Sequence, residues 1–267
     1  MPENAGHDDN GASTAADGSY RARTRLFVED ELTTGAVLEL AAGQSHYLAN
    51  VMRLKLGAPV HLFNGRDGEW RGRIESLGRG RCSVALLDRT RPQRAEPDLW
   101  LLFAPLKKAR TDYLAEKATE IGASLLWPVF TRRTQAERVK LDRLRANAIE
   151  AAEQSERLSV PELREPAKLA EVLADWPAGR RLLFCDESGA GPPIAEALFA
   201  RGSGENPAAQ KWAVLIGPEG GFARDELDAL HKLPFVTAAG LGPRILRAET
   251  AALTAAGLIL HRLGDLG

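Results

Sequence analysis

A glycine-rich loop at residues 217–221, GPEGG, follows the apolar run at 213–216, AVLI. Three glycines in these five residues remove the Cβ atoms that would keep a ligand away from the backbone. Glu219 would repel a phosphate, and the loop lacks the Lys-Ser/Thr pair of a phosphate-binding loop, which argues against a nucleoside triphosphate. The pattern favours a neutral or cationic ligand with a nucleoside part. A loop whose glycines serve only backbone turns is the alternative.

A second unusual loop, AGLGPRILRAET at residues 239–250, leads into the last predicted helix. Gly242 turns the chain, and Ile245 and Leu246 offer apolar walls to a ligand. Arg247 stands at or just before the first helical turn, where the helix dipole disfavours a cation. We therefore expect Arg247 to be held there for a ligand rather than for helix stability.

Two further side chains at the start of this helix have a structural explanation. An acid in the first turn is favoured by the helix dipole, so Glu249 needs no ligand to account for it. Thr250 is a first-turn hydroxyl that can satisfy a nearby backbone group. Their positions alone do not indicate catalysis.

Basic side chains elsewhere are candidates for contact with nucleic acid. His46 and Arg53 share one predicted helix, for which a solvated surface face is an equal alternative. Arg132 and Arg133 follow a strand end, from which they could reach a substrate. The histidines lack metal-ligand spacing, and the sequence contains neither a G-x-S-x-G nucleophile elbow nor a G-x-G-x-x-G after a strand. Metal, serine-hydrolase and dinucleotide chemistry therefore have no support.

Two predicted domains must position these residues. The first spans residues 20–92. Short β-type runs with turn signals between them are typical of a small β-barrel. Residues 93–98, in a proline-rich and charged stretch, are predicted to be a linker. Residues 1–19 are polar without periodicity and are predicted to be a disordered tail. The β-type runs are 23–29, 37–40, 59–63, 69–74 and 82–87, with a helix predicted over 45–54 and Ser45 as its N-cap.

From residue 99 to 267 the pattern changes to alternating strands and helices. Continuous apolar runs separated by helices are typical of a parallel sheet covered on both faces, so an α/β fold is predicted. Pro128 indicates that its strand lies at an edge of the sheet or is broken there. Strands are predicted at 99–104, 124–130, 181–187, 211–217 and 234–240, and helices near 110–121, 141–156, 167–176, 193–200, 224–232 and 248–263.

The composition is that of an ordinary globular protein. The 267 residues include 35 Lys and Arg against 36 Asp and Glu, which argues against collagen-like, disordered and coiled-coil classes. Two cysteines, Cys82 and Cys185, cannot form a disulfide framework or a cysteine-based zinc site. Basic residues are in excess over 20–145 and acidic ones over 146–267, which is compatible with nucleic acid contacting one part of the molecule. Without a signal peptide or a membrane-spanning apolar segment, the expectation is a soluble cytoplasmic protein.

The two loops, LIGPEGGF (215–222) and LGPRILRAETA (241–251), together resemble the RsmE family, the 16S rRNA uridine-N3 methyltransferases of the SPOUT superfamily. The resemblance extends from about Arg25 to Leu263. Three further stretches agree with the family: HYLANVMRLKLGAPVHLFNG (46–65), LKKARTDYLAEKATEIGA (106–123) and EAAEQSERLSVPEL (150–163).

The resemblance implies an N-terminal PUA-like small β-barrel that binds RNA and a C-terminal SPOUT α/β domain with a trefoil knot, over residues 99–267. It implies S-adenosylmethionine bound in a bent form at the knot and an obligate homodimer, with no metal and no membrane partner. The implied reaction is methylation of N3 of a uridine in 16S rRNA of the small ribosomal subunit, the 30S subunit. Another SPOUT methyltransferase acting on a ribose or a different base, and a non-catalytic RNA-binding assembly factor, are the alternatives.

The resemblance also assigns residues. Arg247 is expected to stabilise negative charge on the uracil, with Arg244 as its rival, and Glu219 is expected to ease the sulfonium charge. Leu144 and Glu156 depart from the family pattern, in which an aromatic residue and a glycine are frequent. The expected cofactor-binding residues are Leu215, Ile216, Gly217, Pro218, Glu219, Gly220, Gly221, Leu241, Gly242, Ile245, Leu246, Arg247 and Thr250, and the expected RNA-binding residues are His46, Arg53, Arg132, Arg133 and Arg157.

Overall fold

The computed structural model describes residues 24–78, 80–186, 191–199 and 210–266. The tail predicted at 1–19 lies outside the described residues. Within them the chain forms two sheets, and the predicted linker lies in residues 92–98, which carry no helix or strand.

The first sheet contains five strands in the order β1-β3-β4-β5-β2. The β1/β3 pair is parallel, and the β3/β4, β4/β5 and β2/β5 pairs are antiparallel. Apolar residues of alternating positions, among them Leu62, Ile74 and Val84, form one buried core against this sheet. The strands are β1 (Arg25–Phe27), β2 (Val37–Glu39), β3 (Pro59–Phe63), β4 (Glu69–Gly78) and β5 (Arg81–Arg91).

One helical segment interrupts this sheet, earlier in the chain than predicted. Helix α1 (Ala42–His46) has Ala41 as its N-cap and continues into a π-helical turn, Tyr47–Val51. The prediction of Ser45 as N-cap is wrong, because Ser45 is buried inside the helix and its hydroxyl donates to the Leu40 carbonyl.

The second sheet is parallel throughout and has the order β12-β10-β11-β6-β7-β8, with β9 also pairing with β7. This arrangement confirms the predicted α/β class. The strands are β6 (Leu99–Phe103), β7 (Leu125–Phe130), β8 (Glu162–Leu163), β9 (Ala167–Lys168), β10 (Arg180–Cys185), β11 (Lys211–Ile216) and β12 (Val236–Ala239). The helices are α2 (Lys108–Ile121), α3 (Leu141–Gln154), α4 (Leu169–Ala174), α5 (Ile194–Phe199), α6 (Arg224–His231) and α7 (Ala248–Leu263).

Helices cover both faces of this sheet, as the continuous apolar runs predicted. Leu101 and Val214 belong to a core shared with α2, α5 and α7, whereas their neighbours Leu102 and Leu215 belong to a core shared with α4 and α6. Successive strand residues point to opposite faces, so a strand buried on both sides needs an unbroken apolar sequence.

Pro128 has the effect that the sequence predicted. On one side β7 pairs with β6 as far as Pro128. On the other side its pairing is divided, with β8 opposite Leu125 and Leu126 and β9 opposite Val129 and Phe130. Proline lacks the N–H that a continuous ladder needs, and the interruption falls at this residue.

The two sheets are joined through Arg25 of β1. Its guanidinium donates to the Glu69 carboxylate (2.7 Å) and to the Ala152 (2.8 Å), Glu153 (2.9 Å) and Arg157 (2.7 Å) carbonyl oxygens at the end of α3. The last turn of a helix leaves carbonyl groups without intrahelical partners, and an arginine can satisfy several of them. The domain boundary is therefore a hydrogen-bonded contact rather than only a covalent linker.

Candidate functional site

The strand order of the parallel sheet contains a point where the direction of the chain connections reverses. Strands β6 and β11 are neighbours. From β6 the chain continues to β7 on one side, and from β11 it continues to β12 on the other side, beyond β10. Ligands of open α/β sheets bind outside the carboxyl ends of the strands at such a switch point. The loop after β11 (217–223) and the loop after β6 (104–107) therefore frame the site.

The loop after β11 is anchored by its own aromatic residue. Gly217 and Pro218 are buried, whereas Glu219 and Gly220 are exposed. A Cβ on Gly217 would lie 2.9 Å from the ring of Phe222, which is buried against Phe184. Glycine at 217 is thus required by the close approach of this ring.

The left-handed backbone that the loop needs is at Gly221, whose φ is +68°. Gly220 has no positive φ, and a Cβ there would lie 3.7 Å from the Cβ of Arg133, in ordinary contact. Arg133 donates to the Gly220 carbonyl at 2.8 Å. A side chain larger than alanine at 220 therefore meets Arg133 first.

Arg133 contacts this loop, and Arg132 contacts the helix that follows it. The Arg132 amide donates to Glu226 at 2.9 Å, and its side chain pairs with Asp225 at 2.8 Å on the exposed surface. These contacts join the end of β7 to the start of α6. Both arginines therefore lie beside the glycine loop, with protein partners of their own.

Arg110, in the first turn of α2, connects the two acidic residues of the site. Its Nη1 donates to Glu219 at 3.0 Å, and its Nε lies 3.7 Å from Glu249 Oε1 at the start of α7. Glu249 is 8% exposed, and its Oε2 has no hydrogen-bond partner among the described residues. A buried carboxylate oxygen without a partner is costly unless a ligand contacts it.

Sequence reasoning missed Arg110 and gave Glu249 only a helix-dipole explanation. The contact between Arg110 and Glu219 spans 109 positions of the chain, so no local pattern reveals it. The available signal was a run of cations, KKAR at 107–110, opening a helix. Cations are disfavoured at a helix N-terminus, and this run therefore required another explanation.

The loop after β12 is exposed for most of its length. Gly242 has a φ of +97°, and no heavy atom lies within 4 Å of the position of its Cβ. Leu241 and Leu246 are half-buried, whereas Ile245 is 103% exposed, so no described residue covers this apolar side chain. Gly240 pairs with Pro192 and Pro193, which fixes the base of the loop to the segment before α5.

Arg247 is the N-cap of α7, as its sequence position predicted. Its side chain and that of Arg244 are exposed and form no ion pair with any residue that the structure describes. Thr250 is exposed in the first turn of the same helix. The N-terminus of α7 thus offers free amides and a guanidinium on the open side of the loop.

The other RNA-binding candidates lie in two different environments. His46 and Arg53 are exposed on the first domain, near the exposed apolar side chains of Tyr47, Val51 and Met52. Arg157 instead has a side chain that is 7% exposed, bound to Glu96 and to the Thr119 carbonyl. Arg157 therefore supports the domain boundary.

The family departures also have a structural context. Glu156 follows the C-cap of α3 with a φ of +58°, a backbone conformation in which glycine is preferred. Leu144 is buried in the core beside α2.

Among the described residues, no cluster of His, Cys, Asp or Glu suits a metal ion, and no helix combines the length and apolarity needed to cross a bilayer.

Models of known protein families match both domains of the chain. Residues 94–260 match the model of an RNA methyltransferase domain, and residues 40–87 match that of an RNA methyltransferase PUA domain. The ribosomal RNA small subunit methyltransferase E of Rickettsia conorii is 32% identical over 86% of this chain and 92% of that protein. Its counterpart from Mycobacterium bovis is 31% identical over 88% and 90%.

Two solved structures share the whole architecture. A Legionella pneumophila protein in complex with the cofactor SAM aligns with a TM-score of 0.79 at 26% identity, covering 90% of this chain and 97% of that one. The small subunit methyltransferase E of Neisseria gonorrhoeae, bound to S-adenosyl methionine, aligns at 0.76 and 25% with the same coverage. The chain therefore belongs to the ribosomal RNA small subunit methyltransferase E family, the RsmE proteins.

Proposed function

We propose that this protein transfers a methyl group from S-adenosylmethionine to N3 of a uridine in the 16S rRNA of the small ribosomal subunit. The observation that carries the proposal is the loop after β11, whose glycines and exposed acid lie at the switch point of a parallel sheet. Membership in the RsmE family and the cofactor bound to the Neisseria relative support it.

The residues present fit S-adenosylmethionine. The space beside Gly242 and the exposed face of Ile245 offer backbone and apolar surface to a nucleoside. Glu219 places negative charge near a sulfonium, which is the electrophile that the cofactor supplies when bound. The residues we assign to its binding are Leu215, Ile216, Gly217, Pro218, Glu219, Gly220, Gly221, Leu241, Gly242, Ile245, Leu246, Arg247 and Thr250.

Arg247 is the residue we assign to the uracil. N3 of uracil carries a proton at neutral pH, and its loss leaves negative charge spread over O2, N3 and O4. A guanidinium that forms no ion pair with any described residue, placed at a helix N-terminus, can donate to a carbonyl edge and stabilise that charge. Arg244 is the second candidate for this role.

The finer architecture belongs to the same proposal. We assign residues 20–92 to a PUA-like barrel, 93–98 to the linker and 99–267 to a SPOUT domain with a trefoil knot. In the barrel, His46 and Arg53 beside exposed apolar side chains form a surface suited to RNA, because bases stack on such surfaces while cations contact phosphates. A homodimer is the proposed assembly.

One experiment tests the reaction directly. Small subunits from a strain lacking the gene are incubated with purified protein and labelled S-adenosylmethionine, and the nucleosides are separated by mass spectrometry. We expect label in 3-methyluridine. Label in a ribose-methylated or different base-methylated nucleoside would favour another SPOUT activity. RNA binding without label would favour a non-catalytic assembly factor.

A further inference from the structure

A basic groove of about 420 Å³ lies beside the proposed cofactor site, between the end of β6 and the start of α3. Its floor includes the apolar side chains of Leu106, Val139 and Leu144. Its cationic side chains are Lys107, Lys108, Arg138, Lys140 and Arg143.

The charge of the basic groove is not neutralised from within. Five cationic side chains face two acidic ones, Asp112 and Glu137, which leaves three net positive charges. Among the described residues only Arg143 is paired: its Nε donates to the Asp112 carboxylate at 2.8 Å, and its Nη2 lies 2.6 Å from Asp112 Oδ2. The other four cations form no ion pair with any described residue, and all four are exposed.

Two helices begin in the basic groove, and each begins with a lysine. Lys107 is the N-cap of α2 and Lys140 is the N-cap of α3, and neither helix has a side-chain cap. The dipole of a helix disfavours a cation at this end, so both lysines weaken the helices that they begin. An anion bound in the groove would neutralise the lysines and accept from the free backbone amides.

The first turn of α2 contributes both to the basic groove and to a contact with the proposed cofactor loop. Lys107 and Lys108 contribute to the groove, while Arg110 of the same turn donates to Glu219 at 3.0 Å. A polymer that reaches the proposed active site passes within reach of these lysines. An apolar floor beside several cations suits a chain that alternates sugars with phosphates.

We propose that the basic groove binds a phosphodiester of the RNA strand that carries the target nucleotide, next to that nucleotide. The proposal rests on the RNA methyltransferase function proposed above. It gives the second domain its own contact with the RNA backbone, separate from the surface of the first domain. Phosphate contacts fix the position and register of a nucleic acid without reading its sequence.

The test compares two double variants that remove the same charge. Lys108→Gln/Lys140→Gln changes the groove, and Lys211→Gln/Lys232→Gln changes exposed lysines near the amino-terminal edge of the same sheet. Affinity for 16S rRNA is measured by filter binding from about 50 to about 200 mM salt, because phosphate contacts determine the salt dependence. Cofactor affinity by calorimetry and molar mass by light scattering are measured in parallel.

For the groove variant we expect the magnitude of the slope of log affinity against log salt to fall by about 1.4–1.8, because each of the two lysines contributes about 0.7–0.9. The KM for RNA should rise on the order of tenfold while kcat and cofactor affinity stay near wild type. The control variant should keep the wild-type slope and KM.

Three results would overturn the proposal. A groove variant with the same salt slope as the control variant would show that the groove lysines make no specific phosphate contact, even if the wild type makes 3-methyluridine. A loss of dimer mass in the groove variant alone would make the groove a subunit contact. An unchanged KM with a lower kcat would place the lysines in the chemical step. If the slope falls as expected but no methylated nucleoside forms, the groove proposal stands and the proposed reaction fails.

Discussion

Arg247 combines a fixed charge, a planar pair of donors and a helix N-terminus at one exposed position. Lysine keeps the charge but cannot copy the geometry. The substitution leaves in place the backbone groups of residue 247 that we assign to the cofactor, so we expect Arg247→Lys to bind cofactor normally and to lose roughly 10²–10³ in turnover, the size of one transition-state donor. Raising the pH should recover part of this loss, because more of the uracil is then already deprotonated. Single-turnover rates at saturating cofactor, measured across pH, provide the check.

Arg244→Lys is the matched control for this variant, since both arginines are exposed and belong to the same loop. If Arg244→Lys shows the loss and the pH recovery while Arg247→Lys does not, the roles of the two residues are exchanged.

Gly217 is required by packing, whatever its contact with a ligand. A Cβ there meets the Phe222 ring at 2.9 Å, and that ring is buried against Phe184. We expect Gly217→Ala to destabilise the protein by about 1–3 kcal/mol, as overpacking does, and to weaken cofactor binding because the loop must shift. Urea unfolding and calorimetry measure the two effects.

Gly220→Ala is the stability control, because its Cβ finds ordinary contact at 3.7 Å. Equal destabilisation by both alanine substitutions would show that the contact with the Phe222 ring does not account for the effect.

At the scale of the elements, the end of α3 contains an unusual residue. Glu156 adopts a φ of +58° directly after the C-cap, where helices commonly end with glycine. Relief of this strain outweighs the entropy that glycine adds to the unfolded chain, so Glu156→Gly should stabilise the protein by about 0.5–1 kcal/mol. The measurement is the free energy of unfolding in urea.

Glu156→Ala separates backbone strain from charge. Alanine removes the carboxylate but keeps the Cβ, so it should give none of the gain. A gain of the same size in both variants would assign the effect to the charge instead.

The elements were largely predictable, and their contacts were not. Apolar runs predicted β6, β7, β10, β11 and β12 within two residues at either end, because a strand buried on both faces leaves a continuous signal. Two-residue strands such as β8 and β9 leave no such signal. The glycine loops were equally visible, whereas the link from Arg110 to Glu219 depends on packing between distant segments.

At the scale of the whole molecule, the domain boundary contains a carboxyl group in an unusual state. Glu153 Oε1 accepts from the Phe27 amide at 2.9 Å, and burial raises the pKa of Glu153 to about 7. Burial also opposes ionisation of Glu69, but the His61 ring, whose Nδ1 lies 3.4 Å from the carboxylate, and a hydrogen bond from Arg25 lower the pKa of Glu69 to about 2. The two carboxyl groups at one boundary therefore titrate in separate ranges.

These shifts predict how stability depends on pH. The folded pKa of Glu153 lies above its ordinary value of 4.5, so its contribution is fully present below about pH 4.5 and is lost as pH rises through about 7. Glu153→Gln keeps an acceptor for the Phe27 amide and removes the titration. We expect the urea midpoint of the wild type to fall more steeply from about pH 5 to about pH 7.5 than that of the variant. Parallel slopes in the two proteins would contradict this prediction.

The same boundary argues against simple domain deletion. Removing residues up to 92 would take Arg25 away from the Ala152 carbonyl and uncover the core that Phe63 shares with Leu158. Such a deletion would damage α3 as well as RNA binding. Substitutions at the exposed residues His46 and Arg53 therefore test the RNA-binding role of the first domain with less effect on the second.

The apolar surface of α7 predicts the assembly. Leu258 is 39% exposed although the other apolar side chains of α7 are buried or half-buried, and Tyr113 of α2, a helix that packs on α7, is 45% exposed. Two copies that bury these side chains against each other would form an isologous interface. We expect light scattering to give about twice 28.9 kDa at micromolar concentration. Leu258→Asp should reduce the mass to that of one chain, because an unpaired carboxylate would be buried at the contact.

Leu56→Asp supplies the matched control, since Leu56 is an exposed leucine of the first domain at 65%. It should leave the dimer intact. Ile245, the apolar side chain that no described residue covers, connects assembly to the proposed site. If the partner subunit covers it, Leu258→Asp should weaken cofactor binding together with dimerisation, and Leu56→Asp should change neither. A folded monomeric Leu258→Asp that binds cofactor with wild-type affinity would show that each subunit completes its own cofactor site.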